Sequence, residues 1–148
     1  MIKILNAEQT RQADKNTIDK QKISSYQLME RAARACADYI LQRFHIQPVE
    51  IMAGMGNNGG DGLAIARLLK EAGFPVELSI FRFSKEGSVD FEQNLAGLEE
   101  IGLSFNWIEH GEDWQEQKEI ALRIDALFGS GDDESKQMLE DAGGYTWG

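Results

Sequence analysis

Nine residues, Gly54 to Gly62 (GMGNNGGDG), hold the densest chemistry in the chain: five glycine residues, two adjacent asparagine residues and one aspartate. Glycine lets a backbone turn sharply and approach a ligand closely. A helix opening at Asp61 would aim its first N–H groups at an anion, so the stretch suits a phosphate or pyrophosphate. Asn57 and Asn58 add amide carbonyl oxygens, which suit a hard cation or a sugar hydroxyl. Asp61 has two readings, a helix N-cap or an acid-base group. The plain alternative is that the whole stretch is only a tight turn capped by Asp61.

Two familiar phosphate chemistries fit poorly. Gly54-x-Gly56-x-x-Gly59 matches the dinucleotide fingerprint in form. That fingerprint also wants an acid at the end of the next strand, roughly 20 residues on, to hold a ribose. Here the next strand runs out in Ile80-Phe81-Arg82, without an acid, so an ordinary NAD dehydrogenase loses support. Arg82 could instead meet a 2′-phosphate, or simply lie at the surface. A P-loop fails because Asp61 stands near the place of its lysine and hydroxyl residue.

The elements that must position this loop can be read from periodicity. Asn6 opens a first helix, and Ser24 or Ser25 opens a second with Leu28, Ala32, Ala35, Tyr39 and Ile40 as its apolar face. A strand over Val49–Ala53 leads into the glycine loop. A helix from about Asp61 to Ala72 follows, with Gly73 as its stop. Then come a strand at Val76–Phe81, a helix marked by Phe91, Leu95, Leu98 and Ile101 and closed by Gly102, and a short strand at Phe105–Ile108. Trp114 to about Ile120 reads as a helical turn, and Leu122–Ala126 as the fourth strand. Ser135 to Ala142 suggests a last short helix.

Strand and helix alternate after the two leading helices. That implies a mostly parallel sheet with right-handed crossovers and helices on both faces. Ligands bind such sheets at the carboxyl ends of the strands, near the switch in strand order. Two glycine-rich loops fall there, Gly54–Gly62 and Phe128–Gly131, and they become neighbours if the first and fourth strands pair.

Bulk properties bound the reading. With 148 residues the default is one domain. Apolar residues at 42% suffice for a core, and a net charge of -10 disfavours a polyphosphate partner such as nucleic acid. Cys36 is the only cysteine, which fits a reducing compartment. No window approaches the roughly 20 apolar residues of a membrane span, and the N-terminus reads as no signal peptide. A cytoplasmic protein without membrane or nucleic-acid partners is the expectation.

Three blocks, SSYQLMERAARA, AGMGNNGGDGLAIARLL and DALFGSG, occur in the order and at the spacing of one family. Over residues 1–131 the chain resembles the NAD(P)H-hydrate epimerases, or YjeF N-terminal domains. The resemblance implies a Rossmann-like three-layer α/β/α fold and a homodimer. It implies epimerisation of the R and S forms of hydrated NADH and NADPH (NADHX and NADPHX) within nicotinamide nucleotide repair. A dehydratase that uses one epimer would be the functional partner, and a potassium ion the cofactor. Asn57, Asn58, Gly59, Gly60 and Asp61 match the substrate-binding block, with Asn58 also a potassium ligand. Asp125 matches the DALFG aspartate, a second potassium ligand beside the substrate and the expected catalytic group. Gly129, Ser130 and Gly131 match the start of a second substrate-binding loop.

The chemistry suits those types. Epimerising a carbinolamine carbon requires its C–O bond to break and reform on the other face. An aspartate there can shuttle the proton and stabilise an iminium-like cation. After Gly131 the match ends: the family continues to an Asp-x-Pro-Ser-Gly block, whereas this chain has no proline beyond Pro75. The expectation is a domain incomplete at its carboxyl end, either truncated or a short variant, with a divergent tail over 132–148. The outer edge of the fourth strand would then be exposed unless the tail or a partner covers it. The other function readings are a non-catalytic nucleotide-binding or scaffold domain and an inactive fragment. His45 and His110 read as surface residues, and Trp107 and Trp114 as packing residues.

Overall fold

The computed structural model describes residues 2–3, 25–115 and 119–127. The expected helices at Asn6 and at Ser135 to Ala142, and the loop residues Gly129, Ser130 and Gly131, lie outside them.

The order of elements is β1 (Ile2–Lys3), α1 (Ser25–Arg43), β2 (Val49–Ala53), α2 (Asn57–Glu71), β3 (Val76–Phe81), α3 (Val89–Glu100), β4 (Asn106–Ile108), a 3-10 turn (Gly111–Asp113) and β5 (Leu122–Ala126). The sheet runs β1-β5-β2-β3-β4, and every pairing is parallel. From β2 the chain winds outward through β3 to β4, then returns past β2 to lay β5 on its other side. The switch in strand order therefore falls between β2 and β5, where Val49 pairs with Leu122 and Ala53 with Ala126.

Each strand alternates between two faces. Val49, Ile51, Ala53, Leu78, Ile80, Leu122, Ile124 and Ala126 join one buried cluster with residues of α1, α2 and α3. Met52, Phe81, Ile108, Trp114 and Leu127 form a second cluster on the opposite face. The described helices all contribute to the first cluster and none to the second. Trp114, expected on a helical turn, instead follows the 3-10 turn and packs beneath the sheet, 5% exposed, with its ring 6.3 Å from that of Phe81.

Three further expectations are corrected. The apolar face of α1 is Leu28, Met29, Ala33, Ala37 and Ile40, while Ala35 and Tyr39 are exposed and Tyr39 lies under Arg43. The outer edge of β5 is not bare, because Ile2 and Lys3 pair with Ile124 and Asp125. The glycine-rich helix α2 begins at Asn57, four residues before Asp61. Gly73 and Gly102 end their helices with φ of 99° and 70°, the left-handed region that favours glycine. No described helix is long and apolar enough to cross a membrane.

Candidate functional site

The site forms where β2 and β5 end side by side. The Gly54 N–H donates to the Ala126 carbonyl at 3.1 Å, extending the ladder one residue past β2. A Cβ on Gly54 would collide with the Leu127 carbonyl, and one on Gly59 with the Gly54 carbonyl. A Cβ on Gly62 would stand 2.5 Å from the Ala126 Cβ, and one on Gly60 would stand 2.8 Å from Met29 Cε of α1. The glycine residues thus let the first two turns of α2 press directly onto the ends of both strands. Intrinsic propensity disfavours helix at Asn57–Gly60, since glycine costs roughly 1 kcal/mol per position relative to alanine. Tertiary contact overrides it.

Gly56 is the N-cap of α2 and has no side chain with which to cap it. Asp61 is therefore not the cap. It sits within the helix, 1% exposed, near enough to Cys36 of α1 to act on it electrostatically. There its charge adds to burial, the larger cause, in pushing the Cys36 thiol up from its ordinary value. Asn57 is exposed at the helix start, whereas Asn58 is 5% exposed.

Asp125 is the penultimate residue of β5, in register with Met52 of β2 and Lys3 of β1. The residue is 5% exposed, and its Oδ1 accepts the Leu127 N–H at 3.1 Å. That bond aims the carboxylate over the strand end and fixes the turn out of β5. Two residues earlier, Arg123 Nε donates to Glu50 Oε2 at 2.7 Å across β2 and β5. Glu50 is 3% exposed, so this buried pair helps to hold the register that sets Asp125 beside the glycine loop. Leu127, Met29 and Glu50 were not picked out by sequence reasoning. Close glycine contacts implied that such neighbours exist, but nothing in the pattern named them.

The structure therefore brings the Asn57–Asp61 segment and Asp125 to one corner of the sheet, at its topological switch. Asn58 and Asp125 offer buried amide and carboxylate oxygens, hard donors of the type an alkali or alkaline-earth cation takes. Among the described residues no group of three or more His, Cys, Asp or Glu side chains is placed to hold a metal ion. His45 and His110 are exposed.

Residues 25–142 match the family model described as YjeF-related protein N-terminus. The chain belongs to this family. Among curated relatives of this YjeF-related chain, a Limosilactobacillus reuteri protein named NAD(P)H-hydrate epimerase is 39% identical over 133 residues, covering 88% of this chain and 60% of the relative. A Leuconostoc mesenteroides protein of the same name is 36% identical over 132 residues, covering 88% of this chain and 57% of its own. The chain thus spans about 60% of the length of the curated relatives it matches. The crystal structure of yeast ynu0 (YNL200c) superposes with a TM-score of 0.66 at 24% identity, over 83% of this chain and 55% of that one. That likeness shows the fold, a Rossmann-like three-layer α/β arrangement, of which the described residues carry the sheet and one helical layer.

Proposed function

We propose that this YjeF-related domain epimerises the R and S forms of NADHX and NADPHX in nicotinamide nucleotide repair. The observation that carries the reading is Asp125, a buried carboxylate at the switch between β2 and β5, beside a helix start that has no side-chain cap. The name of the relatives supports it.

In this reading the first-turn N–H groups of α2 receive substrate phosphate. Asn57 to Asp61 and Gly129 to Gly131 bind the nucleotide. Asp125 carries a proton to the departing hydroxyl at the hydrated nicotinamide carbon. It takes the proton back when water re-adds from the other face, and its charge supports the cationic stage between. Asn58 and Asp125 would hold the potassium ion, which supplies fixed positive charge that orients oxygen atoms. The remaining partners of the reading are a second copy of the chain and a dehydratase that consumes one epimer, in the cytoplasm.

The test is a coupled assay: an R/S mixture of NADHX, a dehydratase specific for one epimer, potassium, and the 148-residue chain. Accelerated loss of the slow epimer supports the reading, and conversion equal to that without the chain sinks it. Asp125→Ala is expected to abolish the acceleration, by about 100-fold or more for a general acid-base group, with an unchanged circular dichroism spectrum. A nucleotide-binding domain without turnover would bind NADH and show no acceleration in either form.

A further inference from the structure

The carboxyl end of β3 holds a side-chain group that the reaction above does not use. Arg82 follows β3 directly, and its N–H extends the ladder to the Ile108 carbonyl at 3.0 Å. Its guanidinium carbon lies 4.0 Å over the Trp107 ring, and Nε donates to Glu109 Oε1 at 3.0 Å. The side chain is 34% exposed. In the observed strand order, β3 is the second strand on the β2 side of the switch. In doubly wound sheets the end of that strand meets the ribose 2′ position of a bound dinucleotide. An acid there holds a 2′-hydroxyl, and an arginine accommodates a 2′-phosphate.

We propose that Arg82, held over the Trp107 ring and tied through Nε to Glu109, reads the 2′-phosphate of a phosphorylated dinucleotide, so that the domain takes NADPH-type substrates in preference to NADH-type ones. The inference rests on the nucleotide-site reading above and names the substrate class of that site.

Arginine carries five N–H donors in a planar fork, and the Glu109 bond uses the one on Nε. The four on the terminal nitrogens form the edge that pairs bidentately with phosphate. Contact with the Trp107 ring and the bond to Glu109 restrain the side chain in advance, so less rotamer freedom is lost on binding. The loop is also fastened to the phosphate end of the site: the Ser88 N–H donates to the Met55 carbonyl at 2.9 Å, and a Cβ on Gly87 would crowd the same oxygen. Arg82 and the start of α2 therefore share one edge of the sheet. The same loop exposes Lys85, a second cation, beside Glu86, whose carbonyl accepts from Ser84 Oγ at 2.6 Å. Glu109 is 54% exposed, so its pairing with Arg82 is screened by solvent and leaves much of the guanidinium charge available to a doubly charged phosphate.

The competing roles are concrete. Arg82 could serve only to tack the edge strand β4 to β3, or Glu109 could accept a ribose 2′-hydroxyl and favour the unphosphorylated nucleotide. Titration calorimetry with adenosine 2′,5′-bisphosphate and adenosine 5′-monophosphate separates them, because these probes differ only in the 2′-phosphate. The intact chain is expected to bind the bisphosphate about tenfold or more tightly, the effect of a hydrogen bond to a charged group. Arg82→Gln should remove that advantage and leave the monophosphate affinity unchanged, which a purely structural tack would not do. Glu109→Gln should widen the advantage. Equal affinity for both probes in the intact chain, or an advantage retained in Arg82→Gln, overturns the inference while the nucleotide site survives. Failure of both probes to bind overturns the nucleotide site itself and the inference with it. If Arg82→Gln does not fold, the two-probe comparison on the intact chain and on Glu109→Gln decides.

Discussion

Two strand-to-helix junctions lie next to each other at the carboxyl edge of the sheet, and they finish their helices in opposite ways. Between β3 and α3, Ser88 is the N-cap and its Oγ accepts the Phe91 N–H at 3.1 Å. Glu92 reaches back to the Gly87 N–H at 2.9 Å, and Asp90 and Glu92 put negative charge in the first turn. That helix start is closed by the protein's own groups and repels an anion. Between β2 and α2 the turn is Gly54–Gly56, the cap is glycine, and the first turn holds no acid. The same local need is met by side chains at α3 and by no side-chain cap at α2. Glycine density alone does not distinguish a structural turn from a binding turn; the difference lies in what caps the helix that follows.

The largest expected effect is at Gly59. Gly59→Ala sets a methyl group into the Gly54 carbonyl, backbone against backbone, at the residue whose N–H extends the β2–β5 ladder to Ala126. A loss of about 3 kcal/mol in urea unfolding is expected, with loss of NADH binding. Near-wild-type stability would mean that α2 does not press on the strand ends as described. Ser88→Ala is the matching change at the closed junction. It should cost about 1 kcal/mol, the usual value of an N-cap, and leave nucleotide affinity unchanged; a fall in affinity would show that the two junctions are not separate. Smallest in stability is Gly56→Ser, which gives α2 the cap it lacks. Nothing lies within 4 Å of a Cβ there, so a gain of roughly 0.3 kcal/mol is expected. NADH binding should weaken, because the new hydroxyl competes for the N–H groups that a phosphate would take. Unchanged affinity in that variant would break the comparison.

Much of the frame was legible because the strands are short, apolar and bounded by turn residues. Val49–Ala53, Val76–Phe81 and Leu122–Ala126 have the expected limits, and Gly73 and Gly102 stop their helices as read. The start of α2 was not legible, since low intrinsic propensity argues against helix at Asn57–Gly60 and only packing against Gly54, Met29 and Ala126 explains it. β1 escaped because two residues carry no period. At the site, the adjacency of Asp125 and the glycine loop followed from alternation of strand and helix once β2 and β5 were taken as neighbours. The Glu50–Arg123 pair and the Trp107 shelf under Arg82 did not, because each joins residues whose contact depends on register rather than on local pattern.

The pairing of β2 with β5 also bears on the order in which the molecule can assemble. β2 meets β3 across a single intervening helix, whereas Glu50 and Arg123 meet across 73 positions. Closing the longer loop costs more chain entropy before any contact repays it. The β2-α2-β3 unit, with its glycine turn, is thus the natural early structure, and β5 docks onto an edge already formed. Asp125 arrives with it. The loop that would receive the ligand and the carboxylate that would act on it reach their places at different times, so a chain halted before the final docking would keep the former and lack the latter.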